Sequence, residues 1–254
     1  AEGSLSRRIG WLTHVDDPAQ LAFIRRVAES PGTYTVRSEG ERVRLRMLAY
    51  QMALGQGAVA SSQIVEELGA YPACASELVE LADVLNGRTR MVSTTVPGLA
   101  DTPLSLWCAY TRNEVLAATG YFTDTVRPAA REGVIRLRDR RCELLFVTLD
   151  KSSGFHETVK YKDYAISPGR FHWQTQNNAG PENESGRRYI ESATNGWQFQ
   201  LFVRSTRDDP FRACGPVRVA DPSDITGDRP MSITWTLDVP LPARLFGEFS
   251  VLRG

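Results

Sequence analysis

The sequence predicts an α+β fold: a helical N-terminal part followed by a mostly antiparallel curved sheet or β-barrel with a few helices. Three observations predict it. Apolar residues recur at helical spacing up to about residue 92. From Leu104 onward, short β-branched and aromatic runs alternate with Gly, Pro, Asp and Asn clusters. Between the two lies 93–103, which holds Pro97, Gly98 and Pro103 and has the composition of a linker or loop. The expected domains are therefore 1–95, which is helical, and 104–254, which is strand-rich. No repeat of fixed period is found.

Each element has its own signal. Leu21, Ile24, Val27 and Ala28 form one helical stripe, and Asp16-Asp17-Pro18 before it supplies a capping acid and a first-turn proline. Leu45 to Leu54 reads as a second helix, ending near Gly55 and Gly57. Ser61 to Leu68 opens a third. Ser76 to Leu85 is a fourth, stopped by Asn86-Gly87. Asn113 to Thr119 is a short helical run. Strands are expected at Gly133 to Leu137, Glu143 to Leu149, Gln198 to Arg204, Val217 to Val219 and Met231 to Leu237.

Composition excludes several function classes. Thirty basic residues balance thirty acidic ones, so neither a basic nucleic-acid tail nor an acidic disordered chain is present. No apolar window is long enough to span a bilayer. The start, Ala1-Glu2-Gly3-Ser4, has no initiator Met and no signal pattern, and a strong pattern begins near Leu5. The piece therefore reads as cut from a longer protein. Cys74, Cys108, Cys142 and Cys214 are scattered, with no CxxC pair, and only His14, His156 and His172 occur. A zinc ribbon, a redox motif and a histidine-built metal nuclease are thereby set aside. No phosphate loop, GxGxxG or GxSxG elbow occurs. Neither a cofactor nor a catalytic set is expected; His156-Glu157 lacks an identifiable third partner.

The chemically informative stretch is Lys151 to Arg204. It interleaves aromatics, amides and cations: Lys151, His156, Lys160-Tyr161-Lys162-Asp163-Tyr164, Phe171-His172-Trp173-Gln174-Thr175-Gln176-Asn177, and Arg187-Arg188-Tyr189. Such a mixture can stack on bases, bond base edges and neutralise phosphates. All three lysines of the chain fall here. A plainer reading stands beside it. Trp173, Phe171, Tyr189 and Phe202 fit a core better than a contact surface. Asp163 can cap a turn or pair with Arg187 or Arg188. Gln174 and Gln176 would share an ordinary solvated strand face, and His172 fits a semi-buried position. Upstream, residues 127–141 hold six Arg against Glu132 and Asp139. Arg136, Arg138 and Arg140 alternate, which on a strand gives either a phosphate-tracking edge or a charged edge protected from aggregation.

Several blocks carry a family resemblance: His14-Val15-Asp16-Asp17, Leu144 to Lys151, Tyr161 to Ser167, Phe171 to Asn177, Leu201 to Arg204 and Arg229 to Trp235. Together they resemble the domain of unknown function found at the C-terminus of bacterial superfamily II helicases, often behind a phospholipase-D-like nuclease domain. The resemblance is strongest from Leu144 to Pro242. It implies a non-enzymatic specificity module of a type IV restriction system in phage defence, located in the bacterial cytoplasm. Its partners would be modified double-stranded DNA and the upstream helicase and nuclease domains. It further implies that 1–95 is a helical coupler that docks to the motor, and that 104–254 is an SRA/PUA-like β-barrel that flips a modified cytosine, 5-methylcytosine, into a pocket.

Within those blocks the candidate base-binding residues are Tyr161, Asp163, Tyr164, His156, Gln174, Gln176 and Asn177. The candidate phosphate ligands are Lys151, Lys160, Lys162, Arg187, Arg188, Arg136 and Arg138. One alternative is a phosphorothioate reader, with Tyr71-Pro72-Ala73-Cys74-Ala75 as the wall of a sulfur cavity. Another is a protein–protein coupling module that makes no DNA contact.

Overall fold

The computed structural model describes residues 1–149, 163–176 and 179–250. They form an α+β arrangement with eight α-helices and nine strands among the described residues. The chain divides into two compact units. The first comprises Ala1–Ala130 with Pro210–Ala213; the second comprises Arg131–Asp209 with Cys214–Gly254.

Unit 1 is built on α1 (Glu2–Ile9), α2 (Pro18–Ala28), α3 (Glu39–Gln51), α4 (Ser62–Ala70), α5 (Pro72–Arg88) and α6 (Arg112–Ala118), plus the short β1 (Ala109–Tyr110). The Asp17 side chain caps α2 by accepting from Ala19 N–H, and Pro18 occupies its first turn. α5 begins at Pro72 rather than at Ser76, because Tyr71 ends α4 and the proline directly opens the next helix. Leu5, Leu21, Phe23, Val27, Leu48, Leu68 and Leu78 fill the core and are almost fully buried.

The segment 93–103 is irregular but tied in. Val96 and Leu99 are fully buried, and Ser93 bonds Asp17 at 2.6 Å. It is thus an ordered loop of unit 1. Asp17 is itself a buried centre, also accepting from Ser105 Oγ at 3.1 Å and Tyr110 OH at 2.8 Å. Next to it, Asp16 accepts from Ala109 N–H at 2.7 Å and pairs with Arg212. A charge placed in low dielectric persists only when such partners surround it.

Unit 2 holds most of the sheet. β2 (Val134–Leu137), β3 (Cys142–Thr148), β4 (Tyr164–Ser167), β5 (Arg170–Gln174), β6 (Gln198–Arg204), β7 (Phe211–Arg218), β8 (Ile225–Thr226) and β9 (Ser232–Leu237) join α7 (Glu184–Ile190) and α8 (Ala243–Phe249). The strand order is β2-β3-β6-β7-β9-β5-β4, with β8 on β9 and β1 on β7. Most pairs are antiparallel, but β3 and β6 run parallel from Cys142↔Gln198 to Thr148↔Arg204. The first three residues of β7 belong with unit 1 and the rest with unit 2.

The expected closed barrel is replaced by an open sheet: among the described residues β2 and β4 are its two ends and do not pair. The chain beyond β5 nevertheless returns to β2, where a Cβ on Gly133 would lie 3.9 Å from the Gln176 amide nitrogen.

Burial along the strands tells which parts of the sheet are covered. β3 and β6 are buried almost residue after residue, as central strands covered on both faces are. β5 and β9 alternate between buried and part-exposed positions, so one face of that region is open. Their buried face carries Phe171, Trp173, Ile233 and Trp235. Trp173 meets Tyr189 edge-on at 5.5 Å and Trp235 lies 5.2 Å from Phe199. These aromatics are core.

Candidate nucleic-acid interface

The open face of β4, β5 and β9 is where the described part of the candidate site lies. Alternation on β5 turns Arg170, His172 and Gln174 away from the core, and alternation on β9 turns Ser232, Thr234 and Thr236 with them. The register joins them in rows: Tyr164, His172 and Thr234; Gln174 and Ser232; Arg170 and Thr236. Tyr164 and His172 stack with ring centroids 5.2 Å apart and planes 21° off parallel, both part-exposed. Gln174 donates to Ser232 Oγ at 3.5 Å. Arg170 pairs with Asp224. The surface thus offers an aromatic pair bordered by an amide, hydroxyls and one paired cation.

Asp163 takes a different position. It is 2% exposed, and its Oδ1 accepts from the Gln174 backbone N–H at 2.8 Å. The carboxylate fastens the approach to β4 onto the end of β5, which makes it a positioning group for Tyr164 and Gln174. Gln176 is part-exposed, and its carbonyl accepts from Ala179 N–H at 2.9 Å. His156, Tyr161, Asn177, Lys151, Lys160 and Lys162 lie outside the described residues.

The arginine candidates separate. Arg188 is buried, and its guanidinium donates to Glu143 at 2.8 Å and to Glu184 at 2.6 Å. Arg136 meets the same two carboxylates at 3.3 and 3.4 Å. The four side chains form a closed ring of alternating charge that holds α7 on β2 and β3. Both arginines are therefore committed to carboxylates inside unit 2. Burial, together with the Glu143 charge beside it, pushes the Tyr189 phenol far up. Arg187 and Arg138 are exposed. The expected strand alternation of Arg136, Arg138 and Arg140 stops at Leu137. Arg138–Arg140 is a single 3-10 turn, and Arg141 follows in the left-handed region at φ 47°.

The sulfur-cavity candidate is also placed. Cys74 and Ala75 are buried in the helical core, and burial raises the Cys74 thiol. Unit 1 does contain a cleft of about 120 Å³, but its walls include Arg8, Met52, Leu54, Val59, Ile64 and Glu67, not the 71–75 segment.

A model of the DUF3427 family, a domain of unknown function, matches residues 104–249. The chain belongs to this family. DUF3427 domains are found in helicase-associated proteins. The match takes in all nine strands found among the described residues and α6 to α8, so both the open face and the ion-pair ring lie inside the DUF3427 region. No curated protein matches the chain. No helix among the described residues is long and apolar enough to cross a membrane.

Sequence reasoning missed the Tyr164–His172 stack as a pair, although both residues were in view. The available signal was the short spacing of two aromatic-flanked runs around Pro168-Gly169, which is a hairpin turn.

Proposed function

We propose that the DUF3427 region is the specificity module of a helicase–nuclease restriction system, and that it recognises duplex DNA carrying a modified cytosine, 5-methylcytosine, extruded from the stack. The observation that carries this reading is the part-exposed Tyr164–His172 pair on an open sheet face. A preformed aromatic platform is a surface onto which a base can stack without new ordering of side chains. The amides of Gln174 and Gln176 bring a donor and an acceptor each, the combination a base edge requires. Asp163 orients the platform through its bond to Gln174. The chain entering β4 from 151–162 carries all three lysines, the expected phosphate ligands, together with His156 and Tyr161.

The finer fold reading is an SRA/PUA-like sheet, and the return of Gln176 to Gly133 supports strong curvature. Occurrence of the family in helicase-associated proteins supports a DNA context.

Replacing Tyr164 by Ala tests the platform. Loss of one stacking partner costs roughly 1–3 kcal/mol, so affinity for a methylated duplex is expected to fall about ten- to hundredfold. Fluorescence anisotropy reads it. Unchanged affinity in Tyr164→Ala, with the fold intact by circular dichroism, removes the platform from the reading. A duplex bearing phosphorothioate linkages and no methylation separates base reading from backbone reading.

A further inference from the structure

The β2–β3 turn and the loop before β6 make a second constellation that the base-reading site does not use. Arg138, Arg140 and Arg141 are exposed there, with Asp139 as the acid of the same turn. Arg141 is held in a fixed pose. Its N–H bonds Arg138 O at 3.0 Å, its carbonyl accepts from Gln198 N–H at 2.9 Å, and its guanidinium donates to Asn195 O at 2.5 Å. Gly196 adopts φ 70°, and its missing side chain gives the guanidinium room: a Cβ there would lie 3.6 Å from it. Beside this, Trp197 is part-exposed. Its N–H is fixed by Asn195 Oδ1 at 2.9 Å, and one ring face is backed by the buried Arg188 at 5.2 Å. Among the described residues no carboxylate pairs with Arg138 or Arg141.

We propose that this Arg138–Arg141 turn, with Trp197 beside it, is a contact for the sugar–phosphate backbone of duplex DNA flanking the recognised base. The inference rests on the reading that unit 2 binds DNA. Its chemistry follows from the geometry. Guanidinium forks suit phosphate oxygens, the pose of Arg141 is set before binding, and a backed indole packs on a deoxyribose face. Such contacts add affinity without reading sequence or modification.

The test measures binding of the full chain to paired methylated and unmethylated duplexes over a range of salt. The double variant Arg138→Ala/Arg141→Ala is compared with a charge-matched control on unit 1, Arg7→Ala/Arg88→Ala; all four residues are exposed. Losing two phosphate contacts lowers the slope of log affinity against log salt by roughly 2. The wild-type loss between about 50 and about 200 mM salt then shrinks by about tenfold, equally for both duplexes. An unchanged slope in the turn variant, or an equal change in the control, overturns the proposal. Equal wild-type binding to both duplexes would instead remove base reading and leave this contact standing.

Discussion

Removing the Glu143 carboxylate should be far more damaging than removing the other carboxylate of the same ring, Glu184. Glu143 is 1% exposed and Glu184 is 76% exposed, yet each pairs with both Arg136 and Arg188. Glu143→Ala leaves the Arg188 guanidinium, 7% exposed, without its buried counter-charge. Breaking a buried pair from one side costs about 3–5 kcal/mol, because the orphaned charge stays out of water. That lowers the unfolding midpoint of a chain this size by roughly 10 °C. Glu184→Ala removes a solvent-screened partner and should cost under about 1 kcal/mol. Urea titration followed by tryptophan fluorescence, with Trp173, Trp197 and Trp235 reporting on unit 2, measures both. The double change Glu143→Met/Arg188→Met removes the orphaned cation as well and should recover most of the loss. Equal destabilisation by Glu143→Ala and Glu184→Ala would refute the reasoning, since burial would then decide nothing.

Two further outcomes concern unit 1. His14 Nδ1 lies 3.0 Å from Trp11 O and Nε2 lies 2.7 Å from the buried Glu114 carboxylate, so both ring nitrogens face acceptors and both must donate. Burial opposes protonation, but Glu114, the Trp11 carbonyl and Asp16 outweigh it and hold the pKa above the ordinary imidazole value. The stabilisation is therefore complete below about pH 6.5, the unfolded value, and is lost as pH rises through the folded one. Denaturation series from mildly acidic to mildly alkaline pH should show this loss in the wild type and not in His14→Gln; parallel curves would contradict it. At Gly69, in α4, a Cβ would meet Gly32 Cα at 2.6 Å. Gly69→Ala should therefore destabilise, although alanine is favoured in helices by about 1 kcal/mol. A raised melting temperature in that variant would show that the two backbones can part.

What the sequence made legible, and what it hid, follows from how each element is stabilised. α2 was visible because its stripe and its Asp17-Pro18 start are local features. α7 was not, because it buries an arginine: Arg188 pairs with Glu143. Hydrophobic periodicity treats such a residue as solvent-facing. The strand-rich half was legible in composition, but not in pairing. The parallel pairing of β3 with β6 joins segments separated by about fifty residues, and the open ends of the sheet depend on that long-range order. The site was legible as a stretch rather than as a surface. Tyr164, Gln174 and Gln176 were named for their chemistry. Only the fold distinguishes Asp163, which anchors a backbone N–H, from residues that face outward. The alternation of Arg136 with Arg138 misled because a 3-10 turn begins at Arg138.

The central claim is that this module distinguishes modified from unmodified DNA. It is tested most directly by anisotropy titration of the full wild-type chain against two duplexes of one sequence, one carrying 5-methylcytosine. The expected result is a preference of at least about tenfold, or about 1.4 kcal/mol, for the methylated duplex. Equal affinity for the two would contradict the claim.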